Sequence, residues 1–204
     1  MQEIKPVRIG KHLLYNADCK DVLPLLNEVD VLVCDPPYGI GYDHLAHRKG
    51  GRDHAVGDGG GLAAKHAYKP GDWDAEPAQA LIEGALSITR QDAIIWGGNY
   101  YELPAFGKWL VWDKENGATD FSDCELAWTN MKGPLRMKRH LWNGMARKGR
   151  EARVGHPTQK PVDLMVWCLK QVSEDSVTVL DPFMGSGTTG VACQLMNKHF
   201  VGIE

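Results

Sequence analysis

The sequence predicts one α/β domain built on a mainly parallel sheet. Short apolar runs rich in β-branched residues alternate along the 204 residues with longer stretches of helical spacing. The segments VDVLVCD (29–35) and DAIIWGG (92–98) are nearly continuous apolar runs, as in parallel strands that are buried on both faces. Neither an internal repeat nor a linker divides the chain, so a single domain is expected over 1–204.

Further elements follow from the same patterns. Five more strands are predicted, at 12–17, 108–114, 124–130, 177–183 and 199–204, which makes seven in all. Helices are predicted at 76–89, at 161–172 and, after a glycine turn, within 185–198. A helix start after Asp18 is broken near Pro24.

Residues 41–72 differ from the rest of the chain. They are polar, rich in Gly and His, and without sustained periodicity, which predicts a long mobile loop that serves as a lid. His44, His47 and His54 lie within this loop, but the cysteines that a zinc cluster would need do not accompany them. No metal site is therefore predicted.

The composition is typical of a soluble globular protein, with 43% apolar and 24% charged residues. No apolar run approaches the roughly 20 residues of a membrane span, and the N-terminus lacks a signal-peptide core. We therefore expect a cytoplasmic protein without a membrane partner. The five scattered cysteines form no CxxC and are expected to be reduced thiols.

Residues 131–155 form a basic segment on an acidic chain. They carry eight Lys or Arg residues and one Glu, a net charge of +7, although the whole chain has a net charge of −3. A local basic segment predicts contact with a polyanion such as nucleic acid, and a solvated loop without a partner is the alternative. The candidate contacts are Lys132, Arg136, Lys138, Arg139, Arg147 and Lys148.

A glycine motif lies between a predicted strand and a predicted helix. In DPFMGSGTTG (181–190), Gly185, Gly187 and Gly190 form GxGxxG, which lets the backbone approach a ligand at the helix N-terminus. Glu204, at the tip of the next strand, can accept hydrogen bonds from ribose hydroxyls. The pattern indicates a nucleoside-containing cofactor, or a tight turn without a ligand. A P-loop is disfavoured because no lysine precedes Thr188 or Thr189.

A second motif, Asp35-Pro36-Pro37-Tyr38, follows the buried run 29–35. Ligands of open α/β sheets bind outside the carboxyl ends of the strands. A carboxylate, two rigid prolines and an aromatic ring at that edge are suited to holding a planar base. A proline turn with a capping aspartate is the alternative.

Together these segments resemble a known family. VCDPPYGI, then HPTQKPVDL, then VLDPFMGSGTTGVACQLMNKHFVGIE are similar, in this permuted order, to the beta-type amino-methyltransferases of DNA. The resemblance covers almost the whole chain and implies a Rossmann-like class I methyltransferase fold with a mostly parallel seven-stranded sheet. It also implies S-adenosylmethionine as cofactor, double-stranded DNA as substrate and a role in restriction-modification.

The resemblance implies roles for individual residues. Asp35, Pro36, Pro37 and Tyr38 would bind a base flipped out of the duplex and activate its exocyclic amino group. Asp18 and Cys19 would contact the cofactor adenine, Glu204 the ribose, and Lys160 the methionine carboxylate. Other cofactor residues implied are His156, Thr158, Gln159, Asp181, Phe183, Gly185, Ser186, Gly187 and Thr188, with Asp35 beside them.

Several alternatives remain open on the sequence alone. Aspartate in the first position of DPPY resembles the adenine-N6 enzymes more than the cytosine-N4 enzymes, which often carry serine. The same fold also acts on RNA or on protein amides, and a non-catalytic nucleic-acid-binding protein is a further alternative. The recognition segment 131–155 is short, so we expect a short recognition sequence or a homodimer. A helix usually follows the last strand in the family, so we expect either that the chain continues beyond Glu204 or that apolar surface there is exposed or covered by a partner.

Overall fold

A nine-stranded sheet forms the centre of the molecule in the computed structural model, which describes residues 4–40, 78–117, 122–142, 151 and 159–204. The strands are β1 Val7–Ile9, β2 His12–Tyr15, β3 Val29–Cys34, β4 Thr89–Trp96, β5 Trp109–Asp113, β6 Cys124–Thr129, β7 Arg136–Arg139, β8 Thr178–Asp181 and β9 His199–Ile203. The helices are α1 Cys19–Val22, α2 Gln79–Ser87, α3 Val162–Leu169 and α4 Thr188–Leu195. Short 3₁₀ turns follow at Leu23–Leu25 and Gly98–Tyr100.

The seven predicted strands are the continuous centre of this sheet. The order across it is β1-β2-β9-β8-β3-β4-β6-β5-β7. From β2 to β4 all neighbours are parallel, whereas β6 runs antiparallel between β4 and β5. The two strands that the sequence pattern did not predict, β1 and β7, lie at the two edges, where a short strand needs no continuous apolar run.

Helices cover both faces of the sheet, and the side chains of β3 pack into the cores on both faces. All six residues of β3 are buried. Val31 and Val33 pack into a core with α3 and α4, whereas Leu32 and Cys34 pack into a second core with α1 and α2. The side chains of a strand alternate between faces, so only a continuous apolar run can fill both cores. None of the described helices is long and apolar enough to cross a membrane.

A buried carboxylate ties together the amino ends of the central strands. Asp30 on β3 is 5% exposed, and its Oδ2 accepts the N–H groups of Val177 and Thr178, each at 2.8 Å. Its Oδ1 accepts a hydrogen bond from the Arg90 guanidinium on β4. Burial by itself would raise the pKa of Asp30, but these donors outweigh it and lower the pKa.

Asp30→Ala should lower the free energy of unfolding by roughly 2–4 kcal/mol, because it leaves buried N–H groups without an acceptor. Urea denaturation at neutral pH measures this difference. Glu28→Ala, which removes an exposed carboxylate two residues earlier, is the control and should stay within about 0.5 kcal/mol of the parent. Equal losses in the two variants would contradict the role given to Asp30.

Candidate active site

A cavity of about 400 Å³ opens at the ends of β3 and β8, the two central strands from which the chain continues in opposite directions across the sheet. From β8 the chain continues to β9 on one side, and from β3 it continues to β4 on the other. β3 and β8 are parallel neighbours, with Leu32 opposite Leu180, so both strands end at the same edge. Such a switch point is where open α/β sheets bind their ligands.

The cavity brings together most of the predicted site residues, although they are distant in sequence. Those that line it are Asp18, Cys19, Asp35, Pro37, Gln159, Lys160, Asp181, Phe183, Gly185, Ser186, Thr188 and Glu204. Pro36, Tyr38 and Gly187 adjoin the lining residues in the chain. His156, Thr158, Arg147, Lys148 and the loop 41–72, with its three histidines, lie outside the described residues.

Several lining residues were not among the site residues predicted from the sequence, although three of them lie within the glycine motif 181–190. They are mostly apolar or small: Ala17, Cys34, Met165, Pro182, Met184, Thr189 and Ile203. Cys34 and Ile203 end their strands and Met165 lies on α3, so each reads in the sequence as an ordinary core residue. Only the register of the sheet shows that they face a cavity.

The glycine motif forms the turn between β8 and α4, as predicted. Gly185 and Gly187 both have positive φ, of 51° and 76°, a conformation that side chains disfavour. The space beside Gly187 is open, since a Cβ placed there would have no neighbour within 4 Å. The N–H of Gly185 donates to Glu204 Oε2 at 2.6 Å, so the carboxylate at the end of β9 lies against this turn.

The cavity is acidic. Four carboxyl groups line it, on Asp18, Asp35, Asp181 and Glu204, whereas Lys160 is the one cation among the lining residues. Burial, together with the charges of Asp35 and Glu204, raises the pKa of Asp181 to about 7, although Thr189 and the Phe183 N–H oppose the shift. A cationic ligand would relieve this repulsion, so the cavity favours one.

Asp18 caps the helix that borders the cavity. Its Oδ1 accepts the N–H of Lys20 at 2.9 Å, and its Oδ2 pairs with the Lys20 ammonium at 2.8 Å. The hydrogen bonds from Lys20 lower the pKa of Asp18. This cap fixes the start of α1 and holds Cys19, which is half-buried, at the cavity wall.

Asp35 has partners on both carboxylate oxygens. Tyr38 donates its hydroxyl to Oδ1 at 2.6 Å, and the Lys160 ammonium lies 2.5 Å from Oδ2. Burial, and then the nearby charge of Asp35, raise the pKa of Tyr38 well above its ordinary value, so its hydroxyl remains a donor. The orientation of Asp35 is therefore set by two groups, one of them 125 positions away in sequence.

The Tyr38 ring is held by the residues that follow β4. It stacks on Tyr100, with ring centroids 4.9 Å apart and an angle of 15° between the planes. It also lies against Gly97, where a Cβ would come within 2.1 Å of the ring. Tyr101 donates its hydroxyl to the Pro37 carbonyl, which fixes the same loop from the other side. One ring face is therefore occupied by Tyr100.

Lys160 makes contacts that sequence reasoning missed. Besides Asp35, its ammonium lies 3.0 Å from Glu125 Oε2 and over the Trp96 ring, 5.7 Å from the centroid. Glu125 lies on β6 and Trp96 at the end of β4, and both were predicted only as strand residues. The implied contact of Lys160 with a methionine carboxylate remains a prediction.

Part of the basic segment is the edge strand β7. Arg136 and Lys132 are exposed. Lys138 instead pairs with Asp163 at 2.6 Å, and Arg139 pairs with Asp113 at 3.2 Å while remaining 68% exposed. Arg136 and Arg139 are therefore exposed cations of this segment on the edge strand, and Lys132 precedes it in the chain. Within the described ranges, no group of three or more His, Cys, Asp or Glu side chains is placed to hold a metal ion.

The strand order and the cavity at the switch point define a Rossmann-like methyltransferase fold, and solved structures share it. The structure of the M1.HpyAVI–SAM complex matches over 95% of this chain and 93% of that chain, with a TM-score of 0.56 and 20% sequence identity. The structure of the cytosine-N4-specific PvuII DNA methyltransferase matches over 98% of this chain and 84% of that chain, with a TM-score of 0.57 and 12% identity. These likenesses concern the fold.

Sequence comparison finds similar proteins among the DNA methyltransferases. The DNA methylase family of N6 and N4 enzymes matches residues 111–204. The type II methyltransferase M2.MboI of Moraxella bovis is 23% identical over 94% of this chain and 82% of its own length. M2.DpnII of Streptococcus pneumoniae is 24% identical over 96% of this chain and 85% of its own. By these matches the chain is similar to the N6-adenine/N4-cytosine DNA methyltransferases.

Gly97→Ala should lower the free energy of unfolding by about 2–4 kcal/mol, because the new Cβ both requires a left-handed alanine and overlaps the Tyr38 ring. Gly117→Ala is a matched control. Its φ of 62° is similar, but a Cβ there meets nothing within 4 Å, so the loss should be only about 1–2 kcal/mol. Equal losses in urea denaturation would show that Gly97 does not shape the Tyr38 site.

Proposed function

We propose that this chain is an S-adenosylmethionine-dependent DNA methyltransferase that methylates the exocyclic N6 of adenine in a flipped-out nucleotide. The observation that carries the proposal is the single cavity that joins Asp35, after β3, to the Gly185 turn, after β8. A methyl donor held on one strand end can there face an amine held on the neighbouring one. The similarity of residues 111–204 to the DNA methylase family, and of the chain to two type II methyltransferases, supports the reaction class.

The lining residues fit the cofactor. S-adenosylmethionine supplies an activated methyl group on a sulfonium, and its positive charge suits a cavity with four carboxyl groups. In the proposal the open turn at Gly185–Gly187 accommodates the methionine part. Glu204 leaves the Gly185 N–H to accept the ribose hydroxyls, and Asp18 with the Cys19 N–H contacts adenine. His156, Thr158, Gln159, Lys160, Asp181, Phe183, Ser186 and Thr188 complete the proposed cofactor site.

Asp35 and Pro36 activate the target amine. The nitrogen lone pair of an exocyclic amino group is delocalised into the base, which makes it a poor nucleophile. Two acceptors, the Asp35 carboxylate and the Pro36 carbonyl, draw its hydrogens out of the base plane and localise the lone pair. With a methyl donor bound, the nitrogen would take its methyl group as the C–S bond of the donor breaks, and the proton that the amine loses would pass to the Asp35 carboxylate or to water. Positioning and fixed dipoles account for most of such an effect.

Tyr38 stacks on the flipped base in this proposal. Because Tyr100 occupies one face of the ring, the base uses the other. Stacking on an aromatic side chain contributes roughly 1–3 kcal/mol, which offsets part of the few kcal/mol lost on unstacking the base. A shift of the Tyr38 hydroxyl away from Asp35 Oδ1 frees that oxygen for the amine.

The proposed DNA contacts lie along the basic segment. Lys132, Arg136 and Arg139 are exposed cations suited to phosphates, and Lys138, Arg147 and Lys148 belong to the same segment. The domain organisation proposed is one catalytic domain over 1–204, with a lid at 41–72 and recognition by 131–155. A homodimer would enlarge this short recognition surface. The reaction needs no metal, and its place is the cytoplasm of a bacterium or a phage-infected host.

Product analysis tests the reaction and the choice of base. The protein is incubated with S-adenosylmethionine and unmethylated duplex DNA, and the digested nucleosides are identified by mass. We expect N6-methyldeoxyadenosine; N4-methyldeoxycytidine would instead show that the target is N4 of cytosine. RNA and glutamine-containing protein run in parallel, and methylation of either in place of DNA would contradict the substrate. Cofactor binding without any methylated product would indicate a non-catalytic binding protein.

Asp35→Asn should lower the single-turnover rate of methyl transfer roughly hundredfold to thousandfold, because a neutral amide is a weaker acceptor for the amine. The dissociation constant of S-adenosylmethionine, measured by calorimetry, should change far less. Asp123→Asn, which neutralises an exposed aspartate before β6, is the control and should retain the parent rate. A rate for Asp35→Asn within a factor of about two of the parent would refute the assignment of Asp35.

A further inference from the structure

A buried lysine lies between two carboxylates at the active site. The Lys160 side chain is 7% exposed, and its ammonium contacts Asp35 Oδ2 at 2.5 Å and Glu125 Oε2 at 3.0 Å. Asp35 and Glu125 come from different parts of the sheet, one after β3 and the other on β6. Lys160 therefore bridges Asp35, the proposed acceptor for the amine, and Glu125, which does not line the cavity.

The contacts continue beyond this bridge. Glu125 uses its other oxygen, Oε1, for an ion pair with the ammonium of Lys114, the residue after β5. The result is a chain of alternating groups that runs from Tyr38 through Asp35, Lys160 and Glu125 to Lys114. Two carboxylates and two ammonium groups balance in charge, as burial requires.

We propose that Glu125 is a positioning residue for methyl transfer: it holds Lys160 and shares its charge, so that Asp35 stays oriented toward the amine and able to accept from it. The inference rests on the proposed function of Asp35. Glu125 acts through Lys160 and does not contact the substrates.

The geometry explains why a second carboxylate is needed. If Asp35 were the only partner of Lys160, the full positive charge of the ammonium would pair with the Asp35 carboxylate. The target amine would then have to compete with that ion pair for the carboxylate oxygens. Glu125 divides that charge and fixes the ammonium from the opposite side. The Trp96 ring, 5.7 Å from the ammonium, limits its movement toward β4. Lys160, which orients Asp35, is thus itself held in place by Glu125 and Trp96.

The protonation of Lys160 depends on both carboxylates. Burial by itself would lower the pKa of Lys160, but the charges of Asp35 and Glu125 outweigh it and raise the pKa well above its ordinary value. Burial likewise opposes ionisation of Glu125, and Lys160 and Lys114 lower its pKa. Other titratable groups that face this cluster in the described part of the chain include the Tyr38 hydroxyl, bonded to Asp35, the Cys168 thiol of α3, the Cys34 thiol and the Asp181 carboxyl. Removal of the Glu125 charge should therefore make Lys160 easier to deprotonate.

Glu125→Gln tests the proposal because it keeps the shape of the side chain and removes its charge. We expect the single-turnover rate to fall roughly tenfold to a hundredfold, with little change in the KM values for S-adenosylmethionine and DNA. The alkaline limb of the rate profile should move to lower pH. Glu115→Gln, which neutralises an exposed glutamate beside Lys114, is the control and should leave rate and profile unchanged.

A double-mutant cycle separates positioning from a general structural effect. If Glu125 acts through Lys160, Glu125→Gln should have no further effect on the rate in a Lys160→Met background. Additive losses would overturn the proposal, as would a parent-like rate in Glu125→Gln alone. The cycle requires that both single variants fold, which their urea denaturation curves establish.

A measurement without substrates keeps this test apart from the proposed function. The ¹⁵N resonance of the Lys160 ammonium, assigned by its loss in Lys160→Met, can be followed in the free protein. In Glu125→Gln the ammonium protons should exchange with water faster than in the parent, because one of the two carboxylates that hold the ammonium has lost its charge, and an unchanged exchange rate would contradict the coupling. Failure of the parent protein to methylate DNA would instead count against the proposed function and leave this measurement readable.

Discussion

The parallel pairing of β3 with β8 is the constraint on which the site depends. The two strands are separated by more than half of the chain, yet they are neighbours at the centre of the sheet and end at the same edge. Asp35 extends from one end and the Gly185 turn from the other. If the register between them were different, the carboxylate and the glycine turn would border separate surfaces. The cavity exists because two strands of the same direction end side by side.

The pairing is stabilised away from the site. Asp30 ties β3 to β4 and to the start of β8 at the amino ends of the strands, and the alternating residues of β3 fill a core on each face. Stability therefore resides at one end of the strands and in the layers around them. The carboxyl ends are left to carry groups that are unfavourable for folding, such as the buried carboxyl of Asp181.

Charge organises the site at two levels. The cavity as a whole is acidic, which suits a cationic methyl donor. Within its lining, Lys160 introduces one positive charge and is compensated by Asp35, which also lines the cavity, and by Glu125, which does not. The structure thus combines an acidic lining with a tightly paired cluster of charges around Asp35. Tyr38 extends this cluster, since its hydroxyl bonds to Asp35 and its ring stacks on Tyr100.

The sequence by itself determined the seven central strands, the main helices and the two motifs at strand ends, because these depend on local periodicity and on turn chemistry. Edge strands β1 and β7 escaped prediction, since short edge strands lack a continuous apolar run. Tertiary structure alone decided that Lys160 meets Asp35, 125 positions away, and that Glu125 and Trp96 surround it. Such contacts depend on strand order and register, and no pattern within a short window of sequence encodes those.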